Sequence, residues 1–262
     1  MNMYLKNDQE IDLLKKCSLL VGKTLAEVAK EIRPGVTTKY LDKLGETFIR
    51  DNGALPAFLN YEGYPASLCI SINDTVVHGI PNDKTIIKDG DIVSVDCGTI
   101  IDGWYGDSAY TFEVGEVKEE VRQLLKVTRE SLELGIEKAI VGNRLGDIGY
   151  AVQTHAEKYG YSVVRDLVGH GIGRNMHEEP EIPNYGKRGT GPKLKEGMVI
   201  CIEPMINMGT WRIKISRDGW TVKTLDGQPS AHYEKQLAVR KGKAEVLTSY
   251  SEINEVLKSK NG

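Results

Sequence analysis

The stretch VGHGIGRNMHEEP, Val168 to Pro180, places two of the chain's five histidines seven residues apart among glycines. On a helix, His170 and His177 would share a face nearly two turns apart and could bind one metal ion. Gly171 and Gly173 between them make a helix costly, because glycine gives up the most backbone freedom on ordering. Three readings stay open at this point: partners on one metal, members of a wider set, or polar loop residues.

Carboxylates supply the wider set. The segment DIVSVDCGTIIDGWYGDSAYTFEVG reads as a β-hairpin turning at Asp102-Gly103, a favoured two-residue turn between β-prone runs. Counting outward from an Ile101–Trp104 pair sets Asp96 opposite Ala109, Cys97 opposite Ser108 and Gly98 opposite Asp107. Asp96 and Asp107 then lie diagonally on one face, about 7 Å apart at Cα. Two like charges on a half-buried face are destabilising unless protonated, solvated or bridged by a cation. The hairpin alone leaves a solvent-facing placement open. Further along, Glu203 ends the apolar run MVICIEPMI, and Glu234 stands in the strand-like run AHYEKQLAV. A carboxylate closing a buried strand needs a partner. Two aspartates, two glutamates and His170 suit a pair of divalent ions such as Mn²⁺, Fe²⁺, Co²⁺ or Zn²⁺. Two such ions about 3.5–4 Å apart could share bridging carboxylates and activate one water.

The elements that must position these residues follow from periodicity. Ile11, Leu14, Leu20, Leu25, Val28 and Ile32 recur as on an amphipathic helix from about Asp8, ended by Pro34-Gly35. Thr37 or Thr38 caps a second helix carrying Leu41, Leu44 and Phe48, which stops at Asn52-Gly53. Leu68, Ile70 and Ile72 alternate with Cys69 and Ser71 as a strand would. Helical spacing returns from about Lys118 to Ile140 and from about Asp147 to Tyr159, and strand-like runs follow. Helices and strands recur in both halves with no linker between them, which predicts one α+β domain over residues 1–262.

Composition narrows the function class. The 262 residues are 40% hydrophobic and 27% charged, as in a globular protein with a sizeable core. A net charge of -3 offers no electrostatic reason to bind nucleic acid or an anionic membrane. No apolar run reaches the roughly 20 residues that span a bilayer, and the N-terminus lacks a secretory core, so a cytoplasmic protein is expected. Cys17, Cys69, Cys97 and Cys201 are scattered without a CxxC pair and read as buried, reduced thiols.

With those residues in place, the chain closely resembles the type I methionine aminopeptidases. The resemblance rests on GYPASLCISINDTVVHGIP, KDGDIVSVDCGTIIDGWYGDSAYTF, VVRDLVGHGIGRNMHEEP, LKEGMVICIEPMI and DGWTVKTLDGQPSAHYEKQLAV, and covers nearly the whole chain. It implies the pita-bread fold, a curved antiparallel sheet with outer helices and an internal pseudo-twofold. It also implies two divalent ions held by Asp96, Asp107, His170, Glu203 and Glu234, with Asp107 and Glu234 bridging. The implied activity is removal of the initiator methionine from nascent proteins, best when the second residue is small. Glu203 would shuttle the proton of the attacking water, while His78 and His177 would contact the substrate. Phe58, Tyr61, Tyr64, Cys69, Met176 and Trp220 match the methionine pocket, and an aromatic, sulfur-lined cavity suits a thioether. The expected partner is the nascent chain's N-terminus, with transient docking at the ribosome, and the expected state is a monomer.

Departures from the pattern occur at Phe58, at Met176 and at Lys235-Gln236, which follow the last ligand. Strand alternation turns Lys235 away from Glu234. His155 reads as an exposed helix residue. His232 falls on the face of Glu234 but matches no ligand position of the family, and is left out of the site. Two rival readings share the fold: a proline-specific aminopeptidase and a catalytically inactive binding relative. The first normally carries a further N-terminal domain, and the second loses metal ligands, whereas all five positions are filled here.

Overall fold

The computed structural model describes residues 4–260. Helix α1 (Asp8–Glu31) begins in a reciprocal capping box: the Asn7 side chain accepts from the Glu10 amide at 3.0 Å, and Glu10 accepts from the Asn7 amide at 2.9 Å. Its C-terminal carbonyls are met from the far end of the chain, where Lys260 Nζ donates to Ala29 O at 2.6 Å and Ile32 O at 3.0 Å. Helix α2 (Thr38–Asp51) is capped by Thr37, whose hydroxyl accepts from the Tyr40 amide. The apolar positions read from periodicity in α1 are all buried, whereas Leu44 and Phe48 of α2 are half-buried.

Strand Ile92–Ile101 is the centre of the first half. It pairs antiparallel with Leu68–Ile72 and with Trp104–Glu113, and the hairpin register sets Asp96 opposite Ala109 and Gly98 opposite Asp107. Asp102 (φ 52°) and Gly103 (φ 74°) both take positive φ, as a primed hairpin turn demands. The Leu68–Ile72 strand differs from its alternating pattern: Leu68 through Ser71 are all buried, because both faces are covered. The buried carboxylate of Asp42 in α2 pins its start, accepting from the Ser67 and Leu68 amides at 2.9 Å each.

The second half repeats the plan. Helices α3 (Glu119–Lys138) and α4 (Leu145–Lys158) pack together, and strand Val199–Ile202 pairs antiparallel with Lys235–Ala238 and with Gly169–Gly171. Lys235 stands opposite Ile202, so one further step of that register sets Glu234 opposite Glu203. Each half thus offers two facing strands with a pair of carboxylates, and helices cover the outside. A short C-terminal helix, α5 (Ser251–Lys260), packs on α1. No helix among the described residues is long and apolar enough to cross a membrane. His155 is a correction: it is half-buried, and its Nε2 lies 2.8 Å from Glu130 of α3, so it ties the two helices together.

Close approach of α1 to the hairpin depends on Gly106, where an added Cβ would stand 2.5 Å from the carbonyl carbon of Cys17. Backbone on both sides leaves nothing flexible to yield. Gly106→Ala should destabilise the protein by about 2–3 kcal/mol, seen as a lower urea midpoint, and an unchanged midpoint would show that the helix can lift off.

Candidate metal centre and substrate pocket

The two strand pairs aim their acids at one space. Asp107, His170 and Glu234 are buried, at 3%, 8% and 2% exposure, and Asp96 and Glu203 are half-buried at its rim. His170 Nε2 stands 3.7 Å from Asp107 Oδ2 and 3.6 Å from Glu203 Oε1. Ligand atoms of Asp107, His170, Glu234 and Cys201 all lie within 4.8 Å of one another. The other ring nitrogen of His170, Nδ1, donates to Gly171 O at 2.9 Å. A carbonyl only accepts, so this bond places the proton on Nδ1 and leaves the Nε2 lone pair free for a metal.

Backbone anchors hold the carboxylates in place. The Asp107 amide donates to Gln236 Oε1 at 3.1 Å, and Ser18 donates to the same oxygen at 2.8 Å. Tyr250 OH, sharing its one proton, lies 2.6 Å from Glu234 O and 2.7 Å from Ala109 O, which ties the two strand pairs together. Asn184 holds Glu203 O at 3.1 Å. Lys235 points outward to Glu133 at 2.5 Å and lies over the Tyr250 ring, as strand alternation predicts.

Several polar atoms here have no partner: Asp96 Oδ1, Asp107 Oδ1, Glu234 Oε1 and His232 Nε2 are buried without a hydrogen bond. Three unmet carboxylate oxygens converging beside an imidazole lone pair are a donor set for divalent cations, so the residues fit the ions that the resemblance implies. The five predicted ligands, Asp96, Asp107, His170, Glu203 and Glu234, are all brought to this space. Two further residues join them. His232 Nε2 stands 3.8 Å from Glu203 Oε2, the carboxylate oxygen other than the one nearest His170. Its two-residue spacing from Glu234 carried that signal in the sequence. Cys201, two residues before Glu203, shares its strand face, and burial beside Glu234 and Asp107 pushes its thiol well up.

The adjoining cavity, about 260 Å³, is lined by Phe58, Tyr61, Tyr64, Cys69, Met176 and Trp220 and opens onto the carboxylates. Tyr64 and Trp220 meet edge-to-face at 5.2 Å, and Tyr64 OH shares its one proton between Leu68 O and Gly79 O, 3.0 Å from each. His78 and His177 flank the opening. His78 takes φ 57°, an uncommon backbone state for a side chain of this size. His177 packs its ring on that of His170 at 4.5 Å, and its Nδ1 lies 2.8 Å from Tyr61 OH. A larger groove, about 860 Å³, lies between α1, α3 and the far end of the hairpin and contains none of these residues.

Burial sets the charge states. It pushes the Asp107 carboxyl up to about 8. Burial and repulsion from Asp107 hold Asp96, Glu203 and Glu234 well above the usual carboxylate range. Burial also lowers His78, His170 and His177 to about 4 and His232 to about 3. Between pH 6.5 and 8 the unfolded chain's imidazoles lose the protons that about half of them still carry at pH 6.5, which favours the fold, but by less than the several raised acids disfavour it. For the acids, the unfolded chain has already lost those protons, while the metal-free fold retains them, so stability falls as pH rises towards 8. Metal-free protein should lose about 1–2 kcal/mol between pH 6.5 and 8. Mn²⁺ should stabilise it more at pH 8 than at pH 6.5, because the ion displaces the retained protons. Urea midpoints measured with and without Mn²⁺ check both statements, and a flat metal-free profile would contradict them.

Comparison with known proteins agrees with this geometry. A sequence model of metallopeptidase family M24 matches residues 12–241. The methionine aminopeptidase of Clostridium acetobutylicum is 51% identical over 246 residues, spanning 94% of this chain and 98% of that protein. The crystal structure of methionine aminopeptidase from Rickettsia prowazekii superposes with a TM-score of 0.93 at 45% identity, covering 94% of this chain and 100% of that one. The prolidase from Pyrococcus furiosus superposes with a TM-score of 0.76 at 25% identity, covering 94% of this chain and 65% of that one. These structures share the pita-bread architecture expected from the resemblance. The chain belongs to metallopeptidase family M24.

Proposed function

We propose that this protein is a hydrolase that removes the N-terminal methionine from nascent polypeptides, acting best when the second residue is small. The observation that carries the reading is one cavity of about 260 Å³ with an aromatic and sulfur-bearing wall on one side and four carboxyls with an imidazole on the other. Its wall accepts a flexible thioether, and its charged floor meets the peptide bond that follows. Relatives that are 44% to 51% identical over nearly the whole chain are methionine aminopeptidases, which supports the same assignment.

Asp96, Asp107, His170, Glu203 and Glu234 would hold the two divalent ions. Bound there, such ions supply polarisation of the scissile carbonyl and lower the pKa of the attacking water. The chain's own groups do the rest. Glu203 takes the proton of the attacking water and passes it to the leaving amine. His177, its pKa lowered by partial desolvation and the neighbouring His170 so that the ring is neutral near pH 7, donates a hydrogen bond to the carbonyl oxygen as negative charge develops there. His78, also neutral near pH 7, holds the next amide of the peptide. The aromatic wall excludes water from the methionine side chain, and Phe58 and Met176 set how much space it has.

Purified protein supplied with Mn²⁺ or Co²⁺ should release methionine from a Met-Ala-Ser peptide, and Asp107→Ala should slow this by about a hundredfold or more. A Met-Lys peptide should be cleaved at least about tenfold more slowly than Met-Ala. No methionine release with any divalent ion, or full activity in Asp107→Ala, would overturn the assignment. Equal rates on the two peptides would overturn the small-residue preference.

A further inference from the structure

Tyr61 lines the methionine cavity, and its hydroxyl has a protein partner there. It lies 2.8 Å from His177 Nδ1, and the two rings meet edge-on at 5.3 Å. This is the one hydrogen bond made by the His177 ring among the described residues. The backbone that delivers it is unusual. Asn60 (φ 65°) and Glu62 (φ 49°), both non-glycine, take left-handed conformations on either side of Tyr61. Gly63 follows with φ 90°, which glycine adopts without strain. The turn is over-determined by its own hydrogen bonds: Tyr61 N to Phe58 O at 2.9 Å, Asn60 N to Tyr64 O at 2.8 Å, and Tyr64 N to Tyr61 O at 2.9 Å. Strained non-glycine residues persist only where surrounding structure holds them, and they cluster at functional positions.

A ring presented only as an apolar wall needs neither the strain nor the hydroxyl. A neutral imidazole carries one N–H, and its partner decides which nitrogen bears it. We infer that Tyr61 is a positioning residue whose hydroxyl donates to His177 Nδ1, fixing the tautomer in which Nε2–H faces the scissile carbonyl. The opposite tautomer would leave Nε2 as a bare acceptor, which repels a carbonyl oxygen gaining negative charge. The inference rests on the role proposed above for His177. It assigns the two parts of Tyr61 separate tasks: the ring bounds the methionine side chain, and the hydroxyl acts on the transition state through His177.

Tyr61→Phe keeps the ring and removes only the hydroxyl. With Mn²⁺ and the Met-Ala-Ser peptide, it should lower kcat about tenfold, the worth of one well-placed hydrogen bond, with KM unchanged within about twofold. Combined with His177→Ala, it should cause no further loss, since its effect runs through that ring. In metal-free protein, long-range ¹⁵N spectra of His177 should show the proton on Nε2 in the parent chain and a mixture of tautomers in Tyr61→Phe. Parental kcat in Tyr61→Phe, an unchanged tautomer, or a tenfold loss that persists in the double variant would each overturn the inference. Full activity of His177→Ala would instead remove the reading of His177 on which it rests, and the inference with it. A slow His177→Ala beside a fast Tyr61→Phe would remove this inference alone.

Discussion

Everything else in the molecule depends on one electrostatic constraint: four carboxyls and an imidazole share a water-poor space too small for four negative charges. Asp107 and Glu234 are buried, Asp96 and Glu203 close the rim, and three carboxylate oxygens have no hydrogen-bond partner. Left alone, the acids keep protons: burial pushes Asp107 up to about 8, and burial with repulsion from Asp107 holds its three neighbours well above the usual range. Cations relieve the repulsion better, since one ion neutralises two carboxylates and satisfies their oxygens together. The surrounding structure opposes the repulsion mechanically. Gln236 holds the Asp107 amide, Tyr250 bridges the Glu234 and Ala109 carbonyls, and Asn184 secures the Glu203 carbonyl.

The substrate side follows opposite electrostatic rules. His78 and His177 are uncharged near neutral pH, so they offer hydrogen bonds without adding positive charge that would compete with cations. Two kinds of site thus adjoin within about 260 Å³: a charged floor that demands ions and a neutral, aromatic wall that accepts an apolar side chain. Lys235, the one cation next to a predicted ligand in sequence, is drawn off to Glu133 and does not enter.

Much of this was legible before any coordinates. The hairpin register could be counted from the Asp102-Gly103 turn, because a two-residue turn fixes which residues face each other, and the observed pairing of Asp96 with Ala109 agrees. Capping at Thr37 and the buried stripe of α1 followed from local chemistry and helical period. Contacts between elements distant in sequence were harder to see. His155 reads locally as exposed, and only the packing of α4 on α3 turns it onto Glu130. His232 matches no family ligand, yet strand alternation places it beside Glu234, and the fold carries Glu203 to within 3.8 Å. Cys201 read as an apolar filler, and it is a neutral thiol, but its strand face leads directly to the acids. Spacing of seven between His170 and His177 was the weakest guide. They meet ring to ring at 4.5 Å through a glycine-lined strand and loop, with no helix between them.

The central claim is that the buried acids retain protons only for want of cations. Calorimetric titration of metal-free protein with Mn²⁺ at pH 7, in two buffers of different ionisation heat, measures the protons released per ion bound. With Asp107 near 8 and its neighbours also raised, binding should release at least one proton from the cluster. Mn²⁺ binding without proton release, or no binding, would contradict the account.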